Sequence, residues 1–131
     1  MWLVAALGDS PPMPLVSVTT TSSLPPASRE ALLLRLSRRA AELLAKPEAY
    51  VMTSWVQAEA MTFAGKTGPA CYVELKSIGG INAASAAKLS RALCELLSEE
   101  LALPAGRIYL EFTDVPGHLW GHDGETFDGV V

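Results

Sequence analysis

The sequence predicts an α+β fold in which two βαβ pseudo-repeats form a four-stranded sheet with two helices on one face. The main observation behind this prediction is an internal repeat, because the chain matches itself when it is shifted by 57 positions. Within each half, a short apolar strand, a long helix, a proline turn and a second apolar strand follow one another. Right-handed crossovers in both halves place both helices on the same face. The matched positions carry identical or similar residues: Ser28 and Ser85, Leu36 and Leu93, Glu42 and Glu99, Leu44 and Leu101, Pro47 and Pro104, Val51 and Ile108, Trp55 and Phe112.

The first half shows each of these patterns in turn. Residues 15–20 are β-branched and partly alternating, which predicts a strand with one buried face. A turn with two prolines follows, and apolar residues then recur at helical spacing, so we expect a helix that reaches about Ala45. Lys46 and Pro47 end this helix, and residues 50–56 form the second predicted strand.

The second half repeats the order with its own residues. Residues 71–78 read as the third strand, Gly79 and Gly80 as a turn, residues 82–101 as a helix and residues 107–113 as the fourth strand. Strand residues of both parities are apolar, which is typical of strands that are covered on both faces. We therefore expect a closed homo-oligomer to cover the second face, the alternative being a monomer with an unusually apolar sheet.

Composition limits the class of protein. The chain has 131 residues, of which 50% are hydrophobic and 18% are charged, and its net charge is -4. Because no basic stripe is present, nucleic acid is not an expected partner. Cys71 and Cys94 form no metal-type pair and are expected to be reduced, packed thiols. The apolar start is too short for a signal segment or a membrane span, which predicts a cytoplasmic protein with no membrane partner.

Several motifs together resemble the macrophage migration inhibitory factor and D-dopachrome tautomerase family. They span residues 14–127 in the order Met13-Pro14-Leu15, Lys46-Pro47, Ser77-Ile78-Gly79, Arg107-Ile108-Tyr109 and Gly124-Glu125-Thr126-Phe127. The resemblance implies a homotrimer of tautomerase type, with three sheets around a central barrel and an active site between neighbouring subunits. It also divides the chain into a leader, residues 1–13, and a tautomerase domain, residues 14–131.

The resemblance implies that Pro14 is the catalytic residue, acting as an N-terminal proline exposed when the preceding methionine is removed. A free α-amine has a pKa near ~8, and an apolar pocket lowers it further because burial disfavours the cation. Such a base suits general acid–base catalysis, and the proline ring holds its nitrogen rigidly. The implied reaction is keto–enol tautomerisation of a small aromatic 2-keto acid of phenylpyruvate type, or of a dopachrome-like compound, with no cofactor.

The resemblance also implies three substrate-binding residues. Lys46 would meet the substrate carboxylate, although a lysine at the end of a helix also complements the helix dipole. Ile78 would offer its backbone to the substrate, the alternative being an ordinary core residue. Tyr109 would form a pocket wall for a neighbouring subunit, the alternative being an ordinary sheet aromatic. His118 and His122 lie among glycines in a predicted loop, where surface histidines are commoner than metal ligands, so we expect no metal site.

Three departures from the family pattern bear on activity. Glu111 stands where asparagine is common, and His122 stands where an aromatic wall is common, although Trp120 could substitute for it. Thirteen residues precede Pro14, and while they remain attached its nitrogen is an amide without a basic lone pair. Two interpretations therefore stay open. Either the leader is absent from the active form, or the protein is a catalytically silent, cytokine-like trimer that binds a receptor-type partner and leaves the cell without a signal peptide.

Overall fold

The computed structural model describes residues 14–129 of the chain. Between these limits the elements are β1 (Leu15–Thr20), α1 (Pro26–Leu44), β2 (Met52–Gln57), β3 (Cys71–Ser77), α2 (Ala83–Leu101), β4 (Ile108–Asp114), β5 (Gly121–His122) and β6 (Glu125–Thr126). No helix in this span is long and apolar enough to cross a bilayer.

The four long strands form one mixed sheet in the order β2-β1-β3-β4. Strands β1 and β2 are parallel, as are β3 and β4, while β1 and β3 pair antiparallel in the centre. Each parallel pair is joined through a helix, so the chain contains two βαβ units. The predicted α+β fold with two pseudo-repeats is therefore confirmed.

The boundaries of the outer strands differ from those predicted. The second strand begins at Met52 because residues Glu48–Tyr50 form a 3₁₀ turn, closed by the N–H of Val51 donating to the carbonyl of Glu48 at 3.0 Å. The same turn recurs at Ala105–Arg107, so the fourth strand begins at Ile108. In both halves a proline follows the helix, and a single 3₁₀ turn then separates that proline from the next strand.

The core lies between the helices and one face of the sheet. Alternate residues of β1 and β3 are buried, and the helices cover them with leucines spaced three or four residues apart. The fully buried members include Val16, Val18, Val73, Leu75, Leu36, Leu89, Leu93 and Leu97. Cys71 joins this core, and both cysteines are free. Burial raises the pKa of the Cys71 thiol to about 12, so this sulfur is a packed apolar group.

Helices α1 and α2 pack on the core face, and we call the opposite surface of the sheet the open face. Its rows, read from β2 through β1 and β3 to β4, are Met52-Leu15-Lys76-Thr113, Ser54-Ser17-Glu74-Glu111 and Val56-Thr19-Tyr72-Tyr109. Both outer rows mix apolar with polar residues, and Met52 and Tyr109 are 66% and 64% exposed. The middle row is polar, whereas the sequence predicted apolar residues on both faces of the strands. The homo-oligomer remains a prediction.

The C-terminal segment folds into a small hairpin where the sequence predicted a loop. Strands β5 and β6 pair antiparallel across Asp123 and Gly124, which both have positive φ angles of 53° and 81°. A two-residue type I′ turn requires positive φ at both positions, and Asp-Gly satisfies it well. After the hairpin, Phe127 is fully buried against Ile78. The hairpin thus fixes the end of the chain over the junction of β3 with α2.

Candidate active site

Pro14 lies in a cleft of about 670 Å³ at the start of β1. The residue is buried, and its carbonyl accepts the N–H of Met52 at 3.1 Å. The other residues that line the cleft are Leu15, Ala49, Tyr50, Val51, Met52, Lys76, Val115, Leu119, Trp120, Gly121 and His122. Most of these side chains are apolar or aromatic. An amine placed here would be largely removed from water, which disfavours its protonated form.

The wall of the cleft comes from the 3₁₀ turn before β2 and from the C-terminal segment. Tyr50 meets His122 edge to face, with ring centroids 5.9 Å apart. Trp120 lines the same wall and packs against the cluster formed by Ile78 and Phe127. Both His122 and Trp120 therefore supply aromatic surface to the cleft. His122 and Trp120 are close in sequence, and both line the cleft together with Tyr50.

Lys46 lies beside the cleft and is almost fully buried, with 6% of its surface exposed. It follows the left-handed end of α1, and its Nζ donates to the carbonyl of Ile78 at 3.3 Å. Burial lowers the pKa of this ammonium, and the nearby Asp114 carboxylate acts in the opposite direction. A side-chain carbon on Gly80 would lie only 3.3 Å from the Lys46 Cε, so this glycine leaves room for the lysine stem. Lys46 is not among the described residues that line the cleft.

Asp114 organises the loop that holds Ile78. Its Oδ1 accepts the N–H of Gly79 at 2.8 Å, and the N–H of Val115 donates to the carbonyl of Ser77 at 2.8 Å. The Ser77 hydroxyl donates to the carbonyl of Gly79 at 3.0 Å. The peptide groups around Ile78 are thus held from β4, from β3 and from Lys46. Sequence reasoning missed Asp114, and its only signal was a carboxylate at the end of the last long strand.

Tyr109 stands apart from Pro14 within one chain. It lies at the start of β4, in the open-face row farthest from Pro14, and two strands separate it from β2. Its ring contacts Phe63, with centroids 4.9 Å apart. The structure therefore brings Pro14, Ile78 and Lys46 to one end of the sheet and leaves Tyr109 at the other. A role for Tyr109 at this site requires a second subunit.

Glu111 and Lys76 are two charged residues of the open face. Glu111 accepts a hydrogen bond from the Tyr72 hydroxyl at 2.6 Å, which raises the pKa of Tyr72 to about 12. Lys76 lines the cleft and was not selected from the sequence. Across residues 14–129, no group of three histidine, cysteine or acidic side chains is placed to hold a metal ion.

Similarity to known proteins covers most of the chain. The family described as Macrophage migration inhibitory factor (MIF) matches residues 13–128. The macrophage migration inhibitory factor of Meriones unguiculatus is 35% identical over 118 residues, covering 88% of this chain and 99% of that protein. The protein of the same name from Rattus norvegicus is 34% identical over 116 residues, with the same coverage.

Solved structures give the same result. The crystal structure of a macrophage migration inhibitory factor homologue from Prochlorococcus marinus superimposes with a TM-score of 0.82 and 43% identity, covering 86% of this chain and 98% of that one. The macrophage migration inhibitory factor-like protein of Entamoeba histolytica gives a TM-score of 0.83 and 29% identity, covering 88% and 99%. The chain belongs to the macrophage migration inhibitory factor family, within the tautomerase superfamily.

Proposed function

We propose that this protein is a keto–enol tautomerase, an isomerase of phenylpyruvate or dopachrome type, with Pro14 as general base. The observation that carries the proposal is the burial of Pro14 in a cleft lined mainly by apolar and aromatic residues. Family membership supports an isomerase in general terms. The substrate class, a small aromatic 2-keto acid or a dopachrome-like compound, matches the size and the aromatic wall of the cleft.

The proposed chemistry needs a secondary amine that is uncharged near neutral pH. The Pro14 nitrogen would remove the proton from the carbon next to the substrate carbonyl. The carbonyl oxygen would take a proton from solvent water to give the enol, and the proline ammonium would return its proton to solvent. The reverse reaction returns a proton from the proline ammonium to carbon. General acid–base catalysis of this kind contributes about 10²- to 10⁴-fold. The fixed proline ring aims the lone pair without further ordering.

The remaining site residues would bind and orient the substrate. We place the Lys46 ammonium toward the substrate carboxylate, the Ile78 backbone beside the substrate, and Tyr109 at the wall of a neighbouring subunit's cleft. The position of Tyr109, exposed and distant from Pro14 of its own chain, supports a homotrimer in which each site uses two subunits. No cofactor is needed for a proton transfer of this kind.

This mechanism requires that nothing is attached to the Pro14 nitrogen. We propose that residues 14–131 form the active domain and that residues 1–13, which lie outside the described residues, are absent from the active form. Intact-mass analysis of protein purified from its natural source measures this directly. A mass that retains Met13 and the preceding residues contradicts the catalytic proposal, because the nitrogen is then an amide.

The catalytic test is Pro14→Gly in the form that begins at residue 14. Glycine keeps a free α-amine but loses the rigid secondary ring nitrogen, so we expect kcat for phenylpyruvate to fall about 100-fold or more. The matched control is Pro25→Gly, which changes a proline outside the cleft at the start of α1. Unchanged turnover in Pro14→Gly, with Pro25→Gly also unchanged, would remove Pro14 from the mechanism.

A second candidate function follows from the residues that precede Pro14. If they stay attached, the protein is a catalytically silent trimer that acts as a cytokine-like binding protein with a receptor-type partner. We place the protein in the cytoplasm, with export that uses no signal peptide under this second function. The test is partner binding while an inhibitor occupies the cleft. The second function predicts that binding survives, whereas tautomerase turnover is lost because inhibitor and substrate compete for the cleft.

A further inference from the structure

Lys76 gives the cleft a positive charge that the proposed reaction does not use. Among the described residues that line the cleft, it is the one with a formal charge at neutral pH; the others are apolar or aromatic residues, a glycine and His122. Lys46, the other nearby cation, lies behind this lining with its Nζ on the carbonyl of Ile78. A lysine in an otherwise apolar cleft is a strong attraction for an anionic group.

The position of Lys76 relative to Pro14 is fixed by the sheet. Lys76 in β3 is the antiparallel partner of Leu15 in β1, and Leu15 directly follows Pro14. Directly paired residues have side chains about 4.5–5.5 Å apart at Cβ. The lysine stem therefore starts beside the residue that follows the proline, and Lys76 lines the same cleft as Pro14.

Within the described chain, the ion pair that Lys76 makes is weak. Its Nζ lies 3.7 Å from the Glu74 carboxylate, and the two side chains are 42% and 38% exposed. Glu74 does not line the cleft. Exposed pairs at such distances contribute little to stability, so an incoming carboxylate can compete for the ammonium.

Lys46 and Lys76 approach the site from opposite sides of the sheet. In β3 the buried residues alternate with those of the open face, and Lys76 belongs to the open face while Ser77 is buried under the helices. Lys46 lies two residues after the end of α1, is buried, and belongs to the helical layer. A ligand that meets both ammonium groups must carry two anionic groups that are separated by its body.

We propose that Lys76 binds a second anionic group of the substrate, so that the cleft selects aromatic 2-keto acids that carry a further carboxylate on the ring. The 2-keto acid part of this ligand rests on the proposed function. The role of Lys76 itself requires only that the cleft binds anions, and it is independent of whether the Pro14 nitrogen is free.

The test compares two ligands on the full chain by titration calorimetry: phenylpyruvate and phenylpyruvate with a para-carboxylate. We expect Lys76→Met to weaken binding of the dicarboxylate about tenfold, the effect of losing one charged hydrogen bond, and to change phenylpyruvate binding less than about twofold. Lys76→Arg should restore the preference, because it restores the charge. The matched control is Lys88→Met, which removes an exposed lysine of α2 outside the cleft.

A second variant acts in the opposite direction. Glu74→Gln removes the competing carboxylate and should tighten dicarboxylate binding about two- to threefold, within the range of a surface ion pair. Thermal melting of every variant shows that the fold is retained. Equal effects of Lys76→Met on both ligands, no effect on either, or a full chain that binds neither ligand would each overturn the inference.

Turnover of the same two acids by the form that begins at residue 14 separates this inference from the proposed function. Binding that depends on Lys76 without any turnover supports the inference and rejects the tautomerase proposal. If both acids are turned over and Lys76→Met leaves the ratio of their KM values unchanged, the tautomerase proposal is supported and the inference about Lys76 is rejected.

Discussion

The two halves of the chain share one backbone plan, yet only the first half contributes the proline and the buried lysine of the site. Both helices contain 19 residues and end at an alanine in the left-handed conformation, Ala45 with φ 53° and Ala102 with φ 51°. The following residue then donates its N–H back to the helix, at 2.9 Å in the first half and 3.0 Å in the second. This arrangement is a Schellman motif in both halves.

Equivalent positions show where the halves differ. Pro14 corresponds to Cys71, and Lys46 corresponds to Leu103; all four residues are buried. At 6% and 3% exposure, Lys46 and Leu103 occupy similarly enclosed places, but only one of them carries a charge. A buried charge costs free energy that leucine avoids. The second half therefore shows this position filled by an apolar side chain, and in the first half the lysine is the residue that we propose to bind substrate.

The largest effect should come from moving the charge into the half that lacks it. Leu103→Lys places an ammonium in the core without the carbonyl of Ile78 to receive it, so we expect the free energy of unfolding to fall by about 3–5 kcal/mol. Urea unfolding measures the change. The control is Leu34→Lys on the exposed side of α1, where the expected change is within about 0.5 kcal/mol. Similar losses in both variants would show that position 103 does not resemble position 46 in its packing.

The segment after the second half packs back onto the fold, and one glycine, Gly117, allows the close approach. After β4 the chain folds back over Ile78, and a side-chain carbon on Gly117 would lie 2.4 Å from the carbonyl oxygen of Phe127. Gly117→Ala should cost about 1–3 kcal/mol and displace the wall that carries Trp120. Gly106→Ala is the matched control, because nothing lies within 4 Å of its added carbon. Equal melting temperatures for the two variants would contradict the close packing seen here.

The repeat explains why most of the fold could be predicted from the sequence. Strand and helix patterns depend on residues close together in the chain, and each half confirmed the interpretation of the other. The start of β2 was placed two residues early because Tyr50 and Val51 are strand-type residues, although Tyr50 ends a 3₁₀ turn. The start of β4 was placed one residue early because Arg107, directly before the strand, ends the equivalent turn. The hairpin at Asp123 and Gly124 was missed, although Asp-Gly between short segments is a known turn signal.

The site was harder to predict because it depends on pairing between distant residues. Lys76 reaches the cleft only because β3 pairs antiparallel with β1, and Asp114 reaches the Ile78 loop only because β4 pairs with the end of β3. The local sequence patterns do not reveal how β3 is aligned with β1 or how β4 is aligned with β3. The roles of Pro14, Lys46, Ile78 and Tyr109 came from the family resemblance and remain predictions. A homotrimer is likewise a prediction from the resemblance, and the expectation of a homo-oligomer came from strand residues that are apolar at both parities.

Replacing Lys46, the proposed binding residue, by its counterpart in the second half sharpens the comparison. Lys46→Leu should raise KM for phenylpyruvate about tenfold through loss of one charged contact. The free energy of unfolding should change by less than about 1 kcal/mol, because removal of the buried charge offsets the loss of the hydrogen bond to the carbonyl of Ile78. Lys88→Leu is the control on an exposed surface. A variant that loses both stability and substrate binding would show that the lysine also supports the fold.

The same variant has a pH dependence with a defined sign. Burial lowers the pKa of Lys46 from its ordinary value of 10.5, so the folded state releases this proton before the unfolded state does. The stability of the unsubstituted protein therefore gains from Lys46 as pH rises from the lowered pKa toward 10.5, and the cost of the buried charge is greatest below the lowered pKa. Any stability advantage of Lys46→Leu should be largest near neutral pH and should shrink toward pH 10.5. An advantage that grows with pH would contradict this assignment.

The smallest effect should come from Asp114, which has contacts in both parts of the site. Asp114→Asn keeps an oxygen that can accept the Gly79 N–H but removes the charge that favours protonated Lys46. The pKa of Lys46 should therefore fall further, and KM for phenylpyruvate should begin to rise at a lower pH, with a change of about two- to threefold at the pH where that rise begins. Asp114→Ala also removes the acceptor and should cost a further ~1 kcal/mol of stability. The two variants separate the roles of this carboxylate, because only the loss of charge moves the pH profile, whereas the loss of the hydrogen bond lowers the melting temperature. If Asp114→Asn leaves the pH profile of KM unchanged, Asp114 acts on the loop of Ile78 alone and Lys46 keeps its charge without help from the second half.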